Sequence, residues 1–316
     1  MIKLFKLIVQ LLFSKHAVFL NSPLQLMNFI EFSNLKEFIY LKKIPIYIGY
    51  ANKNNIKRIK KVLRIFKLKL DIVYLNEEID AYIIHLIIKI RKFFKINYIE
   101  CTIGDIRYYL HREFFKISQK KNILDDGTSS FSFKHALKDL NSNKTLIFTI
   151  FENIKLKNIK IYYNNFLFLK KKFKVSNKYS KKIIHFISSK VHEEIKIPEK
   201  IFLLLESLQK KSKKKIIYIP HPKENIEIIK KKINFEIMKI DIPIELFYLT
   251  IDKLPSKIIF NYSSSLFNLK KIFNNSKNFQ NISLKNKSIF LNKENQFSFT
   301  YYDKELKRLN IKYQIF

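Results

Sequence analysis

Short runs of strand-forming residues recur along this chain, and nearly every one is followed by a stretch with helical spacing. Ala17-Val18-Phe19-Leu20 reads as a buried strand. It runs into Asn21-Ser22-Pro23-Leu24-Gln25, where Ser22 is a good N-cap and Pro23 a good first helical residue. Leu26, Phe29 and Ile30 then share one helical face. Strand candidates follow at 44–49, 68–74, 97–104 and 122–124, with helical patterns at 54–66, 79–94 and 106–115 between them. The stretch 130–180 is less regular, with strand candidates at 146–151 and 159–163. A polar, basic segment over 170–182 reads as a linker. A second series then begins: strands at 182–189, 216–219, 235–240 and 257–260 alternate with helices at 198–209, 225–232 and 266–273 and a short one after Pro243. Strands that alternate with helices form parallel sheets. The chain is therefore expected to be α/β, with two Rossmann-like domains, 1–178 and 179–316, facing a central cleft.

Composition narrows what such domains can bind. Glycine occurs only at Gly49, Gly104 and Gly127, too scattered for a glycine-rich phosphate loop. A phosphate site must then use helix N-termini and side chains. Cys101 is the single cysteine, so no intramolecular disulfide and no multi-cysteine zinc site can form. That points to a reducing, cytoplasmic compartment. The net charge of +35 has two readings: a bias towards lysine throughout, or attraction to an anionic partner. No nucleic-acid-binding motif accompanies the lysines. A peripheral contact with anionic membrane, on the inner face of the cytoplasmic membrane, suits them better. The N-terminus, Met1 to Phe13, is basic and then apolar, too short to span a bilayer, and lacks a small-residue cleavage site. It reads equally as an interfacial anchor, a buried first helix or a strand leader.

The residues suited to chemistry lie where strands end. Asp125-Asp126-Gly127-Thr128 follows a strand. It is a plain surface turn, or an active-site carboxylate tuned by its neighbour. Pro220-His221-Pro222-Lys223 ends the strand 216–219, and the two prolines fix the backbone on either side of the histidine. Tyr262-Ser263-Ser264-Ser265-Leu266 is a helix cap or a phosphate cradle. Glu245, behind Pro243, answers the helix dipole or binds a ribose diol. Gln25 faces either solvent or a cleft, and Lys223 is a solvated lysine or a phosphate contact.

Taken in order, these motifs resemble those of the bacterial lipooligosaccharide sialyltransferases, glycosyltransferase family 52, relatives of the bacterial polysialyltransferases. Asp125 to Thr128, Pro220 to Lys223, Pro243-Ile244-Glu245, Tyr262 to Leu266 and Asn21 to Met27 carry the resemblance, from about residue 17 to about residue 275. It implies a GT-B fold and inverting transfer of sialic acid from CMP-sialic acid to a terminal galactose, with no cofactor and no metal. It implies that Asp125 and Asp126 supply the general base and that His221 aids departure of CMP. It also implies that Ser263, Ser264 and Ser265 with Pro222 and Lys223 hold the donor, and that Glu245 holds its ribose. Ser22, Gln25, Gly104 and Gly127 fall on the acceptor side. Relatives of this type can be dimeric, so the resemblance admits a homodimer. Ser188-Ser189 departs from the glycine often found there in relatives. Two other readings stand beside this one: a polysialyltransferase or another nucleotide-sugar transferase of the same fold, and a non-catalytic basic protein that binds membrane or nucleic acid.

Overall fold

The computed structural model describes residues 2–49, 52–127, 130, 144–152, 154, 156, 158–174, 178–189, 195–196, 198–274, 278–283, 293–311 and 313–315. Thr128 of the Asp-Asp-Gly motif and residues 175–177 of the expected linker lie outside these. The chain divides into two compact units, Met1–Phe168 and Leu169–Phe316. The division falls within the helix Leu167–Lys172, ten residues ahead of the expected boundary at 178/179.

Unit one opens with helix α1 (Ile2–Phe13), which rules out the strand leader among the readings of the N-terminus. Then come β1 (His16–Leu20), α2 (Pro23–Phe32), a 3-10 segment (Lys36–Lys43), β2 (Ile46–Ile48), α3 (Lys53–Phe66), β3 (Ile72–Tyr74), α4 (Glu77–Phe93) and β4 (Tyr98–Ile103). Next are α5 (Tyr109–Lys116), β5 (Ser118–Leu124), β6 (Thr145–Thr149), β7 (Ile159–Tyr163) and α6 (Leu167–Lys172). The strands form one seven-stranded sheet in the order β3-β2-β1-β4-β5-β6-β7, every neighbouring pair parallel. Register pairs Phe19 with Tyr47 on one side and with Ile103 on the other.

The second unit contains β8 (Ile183–Ile187), α7 (Glu199–Ser212), β9 (Lys215–Ile219), α8 (Ile226–Lys230), β10 (Glu236–Ile237), α9 (Ile244–Thr250) and β11 (Lys257–Phe260). It closes with α10 (Ser265–Ile272), β12 (Phe279–Ser283), α11 (Lys293–Arg308) and β13 (Tyr313–Ile315). Its six strands run β10-β9-β8-β11-β12-β13, again all parallel. In both units the first strand sits centrally and the order reverses beside it, the Rossmann arrangement. Each unit therefore has a switch point, between β1 and β4 in one and between β8 and β11 in the other.

Burial explains why the strand runs were easy to read. A parallel sheet covered by helices on both faces needs apolar residues at consecutive strand positions. In β1 all four of Ala17, Val18, Phe19 and Leu20 are buried, and so are Ile216 to Ile219 in β9. Phe19 stacks on Phe114 of α5 at 4.2 Å between ring centroids and on Tyr47 of β2 at 5.1 Å. Helix α5 starts at Tyr109, later than the apolar pattern from Ile106 suggests, because Asp105 holds the preceding turn by accepting a hydrogen bond from the Arg107 backbone N–H at 2.9 Å. The strand expected over 235–240 shrinks to two residues at the sheet edge, where only one neighbour selects for it.

Candidate functional site

Each unit gathers polar side chains at the carboxyl ends of its strands, where open α/β sheets bind ligands. In unit one the two adjacent aspartates after β5 have separate fates. Asp125 is 2% exposed and accepts four hydrogen bonds. Its Oδ1 takes Gly127 N–H at 2.9 Å and Ser130 Oγ–H at 2.5 Å, and its Oδ2 takes Thr149 Oγ1–H at 2.9 Å and Ile150 N–H at 3.1 Å. Its backbone carbonyl accepts from Asn28 Nδ2 at 2.9 Å. Burial pushes this carboxyl above the ordinary range, while the four donors pull the other way. A carboxylate so engaged ties the ends of β5 and β6 together. Gly127 makes the turn possible: its φ is 71°, a left-handed conformation that suits glycine.

Asp126 points elsewhere. Its side chain is 20% exposed, and its Oδ1 accepts from Gln25 Nε2 at 2.8 Å. Its Oδ2 lies 3.6 Å from Arg107 Nη2, and Arg107 in turn donates from Nε to Asp105 Oδ1 at 3.2 Å. Gln25 is positioned from its other end: its Oε1 accepts Asn21 N–H at 2.6 Å, and Ser22 Oγ accepts Gln25 N–H at 3.2 Å as the cap of α2. Gln25 is therefore buried, not solvent-facing. It lies so close over Gly104 that a Cβ there would sit 2.2 Å from its Oε1. Ser22, Gln25, Gly104, Asp126 and Gly127 form one cluster straddling the switch point, and Asp125 anchors it from below. Arg107, Asn28, Ser130 and Thr149 belong to the same cluster and were not picked out from the sequence. Asn28 carried no spacing signal, because a contact across 97 residues brings it in, and Arg107 reaches Asp126 only because the ends of β4 and β5 lie side by side in the sheet.

The second unit places His221 in the turn after β9. Glu224 is the residue missed there. It is buried, and its carboxylate accepts Ser188 Oγ–H at 2.8 Å, Tyr218 O–H at 3.2 Å and His221 N–H at 2.7 Å. It thus ties the end of β8 to the histidine turn. Its one signal in the sequence was an acid directly after the Pro-His-Pro-Lys run. Ser188 is used as a donor to this carboxylate. Lys223 N–H donates to His221 Nδ1 at 3.2 Å, which assigns the proton of the neutral ring to Nε2. Pro222 and Lys223 are exposed on the same turn.

The serine turn after β11 does not behave as a plain cap. Ser264 occupies the N-cap of α10 with helical backbone angles, and no side-chain capping bond forms. Tyr262 adopts φ 49°, an uncommon left-handed conformation for a tyrosine. Its ring is packed 4.8 Å from that of Tyr302, and Tyr302 O–H donates to Ser263 O at 3.3 Å. The turn is held by its neighbours instead of by its own hydroxyls. Glu245, in the first turn of α9, is buried and accepts from Asn268 Nδ2 of α10 at 2.6 Å. The serine turn and Glu245 are thereby joined through one helix.

Among the described residues, no three His, Cys, Asp or Glu side chains converge as a metal site, and no helix is long and apolar enough to cross a membrane. No protein-family model and no curated protein matches the sequence. The fold does match a solved structure, the α/β-galactoside α-2,3-sialyltransferase of the luminous marine bacterium Photobacterium phosphoreum. The TM-score is 0.50 at 14% identity, covering 94% of this chain and 98% of that one. The chain has a GT-B type fold built from two Rossmann-like units.

Proposed function

We propose that this chain is a glycosyltransferase that moves sialic acid from CMP-sialic acid to a galactose-terminated acceptor, with inversion and without a metal. The observation that carries the reading is the unequal use of the two aspartates. Asp125 is spent on four internal donors, whereas Asp126 is partly exposed and aimed by Gln25 at a switch point. That is the disposition of a general base with a scaffold partner. A carboxylate serves here as the base if the acceptor hydroxyl loses its proton late, as positive charge builds on the sugar carbon. The fold likeness to a sialyltransferase and the order of the motifs support the same reading.

In this reading the second unit holds the donor. His221 acts through Nε2–H as a hydrogen-bond donor to the departing phosphate, since Nδ1 already accepts Lys223 N–H. Ser263, Ser264 and Ser265 offer hydroxyls that the helix does not consume as caps. Pro222 and Lys223 line the same side, and Glu245 accepts from the ribose. The acceptor is a lipooligosaccharide or related surface glycan, as in family 52. Incubation with CMP-sialic acid and a lactoside tests the proposal: release of CMP with a sialylated product is expected. Thermal stabilisation by UDP or GDP but not by CMP would redirect it to another nucleotide sugar.

A further inference from the structure

Two helices of unit one are apolar on both sides. Leu7 and Leu11 of α1 and Ile84, Ile87 and Ile88 of α4 enter one core cluster beneath the helices. Their opposite faces are apolar as well. Phe5 is 69% exposed, Phe13 76%, Phe93 81% and Phe94 64%, with Val9 and Leu86 exposed between them. Residues 5, 9 and 13 are spaced by four and so fall on one side of α1, and 86 and 93 are spaced by seven on α4. Because both helices turn their other face into the same cluster, these stripes face outward together.

The pairing of the helices is built, not incidental. Arg91 of α4 is buried, and its Nη1 donates to the carbonyls of Leu11 at 3.0 Å and Leu12 at 2.6 Å. Tyr98 O–H also donates to Leu11 O, at 2.5 Å, and the Arg91 guanidinium lies 3.6 Å from the Tyr98 ring centroid. The free carbonyls at the end of α1 are thus satisfied from within the domain, and Phe13 is fixed beside the end of α4. Exposed Lys6, Lys89 and Lys95 stand among the aromatic residues.

We infer that this α1–α4 face docks on an anionic lipid bilayer, with its aromatic and aliphatic side chains in the interface and its lysines at the headgroups. The mixture decides for lipid over a second copy of the chain. A two-fold contact through this face would set the same lysines against one another, whereas anionic headgroups complement them. Phe and Leu beside lysines on one helical face are what an interfacial helix requires. The inference does not depend on the transferase reading, since it uses no residue of the candidate site.

The chain has no tryptophan, so a single introduced one reports without background. Phe93→Trp should shift its emission to the blue on vesicles of phosphatidylglycerol and phosphatidylcholine in equal parts. Ile228→Trp, exposed on the other unit, should not. The triple variant Phe13→Ser, Leu86→Ser, Phe93→Ser should sediment with those vesicles at least about tenfold more weakly than the parent. Equal binding by parent and triple variant would mean that charge alone attracts the protein, and would overturn the assignment of the face. So would a parent that ignores the vesicles, or one whose self-association, measured by sedimentation velocity, the triple variant abolishes.

Discussion

Gly104→Ala offers the sharpest test of how the cluster at the unit-one switch point is assembled. Gly104 does not lie in the left-handed region, so its backbone tolerates alanine; space is what forbids it. The added methyl would sit 2.2 Å from Gln25 Oε1, 2.5 Å from Cδ and 2.8 Å from Cγ, so the whole side chain must leave. Leaving breaks two hydrogen bonds, one from Asn21 N–H and one to the Asp126 carboxylate. A neutral bond is worth about 1 kcal/mol and one to a charged group about 2, so a loss of about 3 kcal/mol is expected in urea unfolding. In a Gln25→Ala background the obstacle is gone, and the same Gly104→Ala change should cost less than about 1 kcal/mol. Turnover should fall about a hundredfold in the Gly104→Ala single variant, because Asp126 loses its orienting partner. An equal cost of Gly104→Ala in both backgrounds would refute the reasoning: Gln25 would not be what the glycine makes room for.

The other expectations concern the two aspartates, the histidine turn, metals and pH. Asp126→Asn should lower transfer by about 10²- to 10⁴-fold while CMP still raises the melting temperature. Asp125→Asn should instead destabilise the fold by about 1–3 kcal/mol, because two of its four donors would face an amide NH2 that cannot accept and the other two would keep only a neutral oxygen; a variant of normal stability would argue against that role. Glu224→Gln should weaken CMP binding through the loosened His221 turn, read as a smaller CMP-induced thermal shift. Transfer should survive EDTA; its loss, with recovery on adding Mg²⁺, would contradict the metal-free mechanism. His111 and His185 are buried, and desolvation lowers each to about 4 from an ordinary 6.5. Both bind protons more readily when unfolded. Their stabilisation is therefore complete above about pH 6.5 and is lost as pH falls towards 4, about 2 kcal/mol per histidine between pH 7 and pH 5. Chemical denaturation at the two pH values measures it, and a flat profile would contradict the burial of both rings.

The repeated strands and helices were legible because a doubly covered parallel sheet writes itself as consecutive apolar runs, as in Ile216 to Ile219 and Ile258 to Phe260. The last third of the second unit was not. Helix α11 and strands β12 and β13 lie in an Asn- and Lys-rich stretch whose local pattern is weak; parallel pairing with β11 selects β12, and pairing with β12 selects β13. The N-terminal segment is equally ambiguous in its local pattern, and it is Arg91 and Tyr98, far along the chain, that hold the end of its helix. Among the site residues, the sequence by itself determined the chemistry available at each strand end: an acid pair, a histidine between prolines, three serines and an acid after a proline. Only the tertiary structure decided how each is used. It buried Asp125 under donors from residues 127 to 150 and left Asp126 to Gln25. It brought in Arg107 and Glu224, and it freed the serines from capping. Local sequence sets backbone preference and functional groups, but a carboxylate's role depends on which donors reach it, and those arrive from strands far apart in the chain.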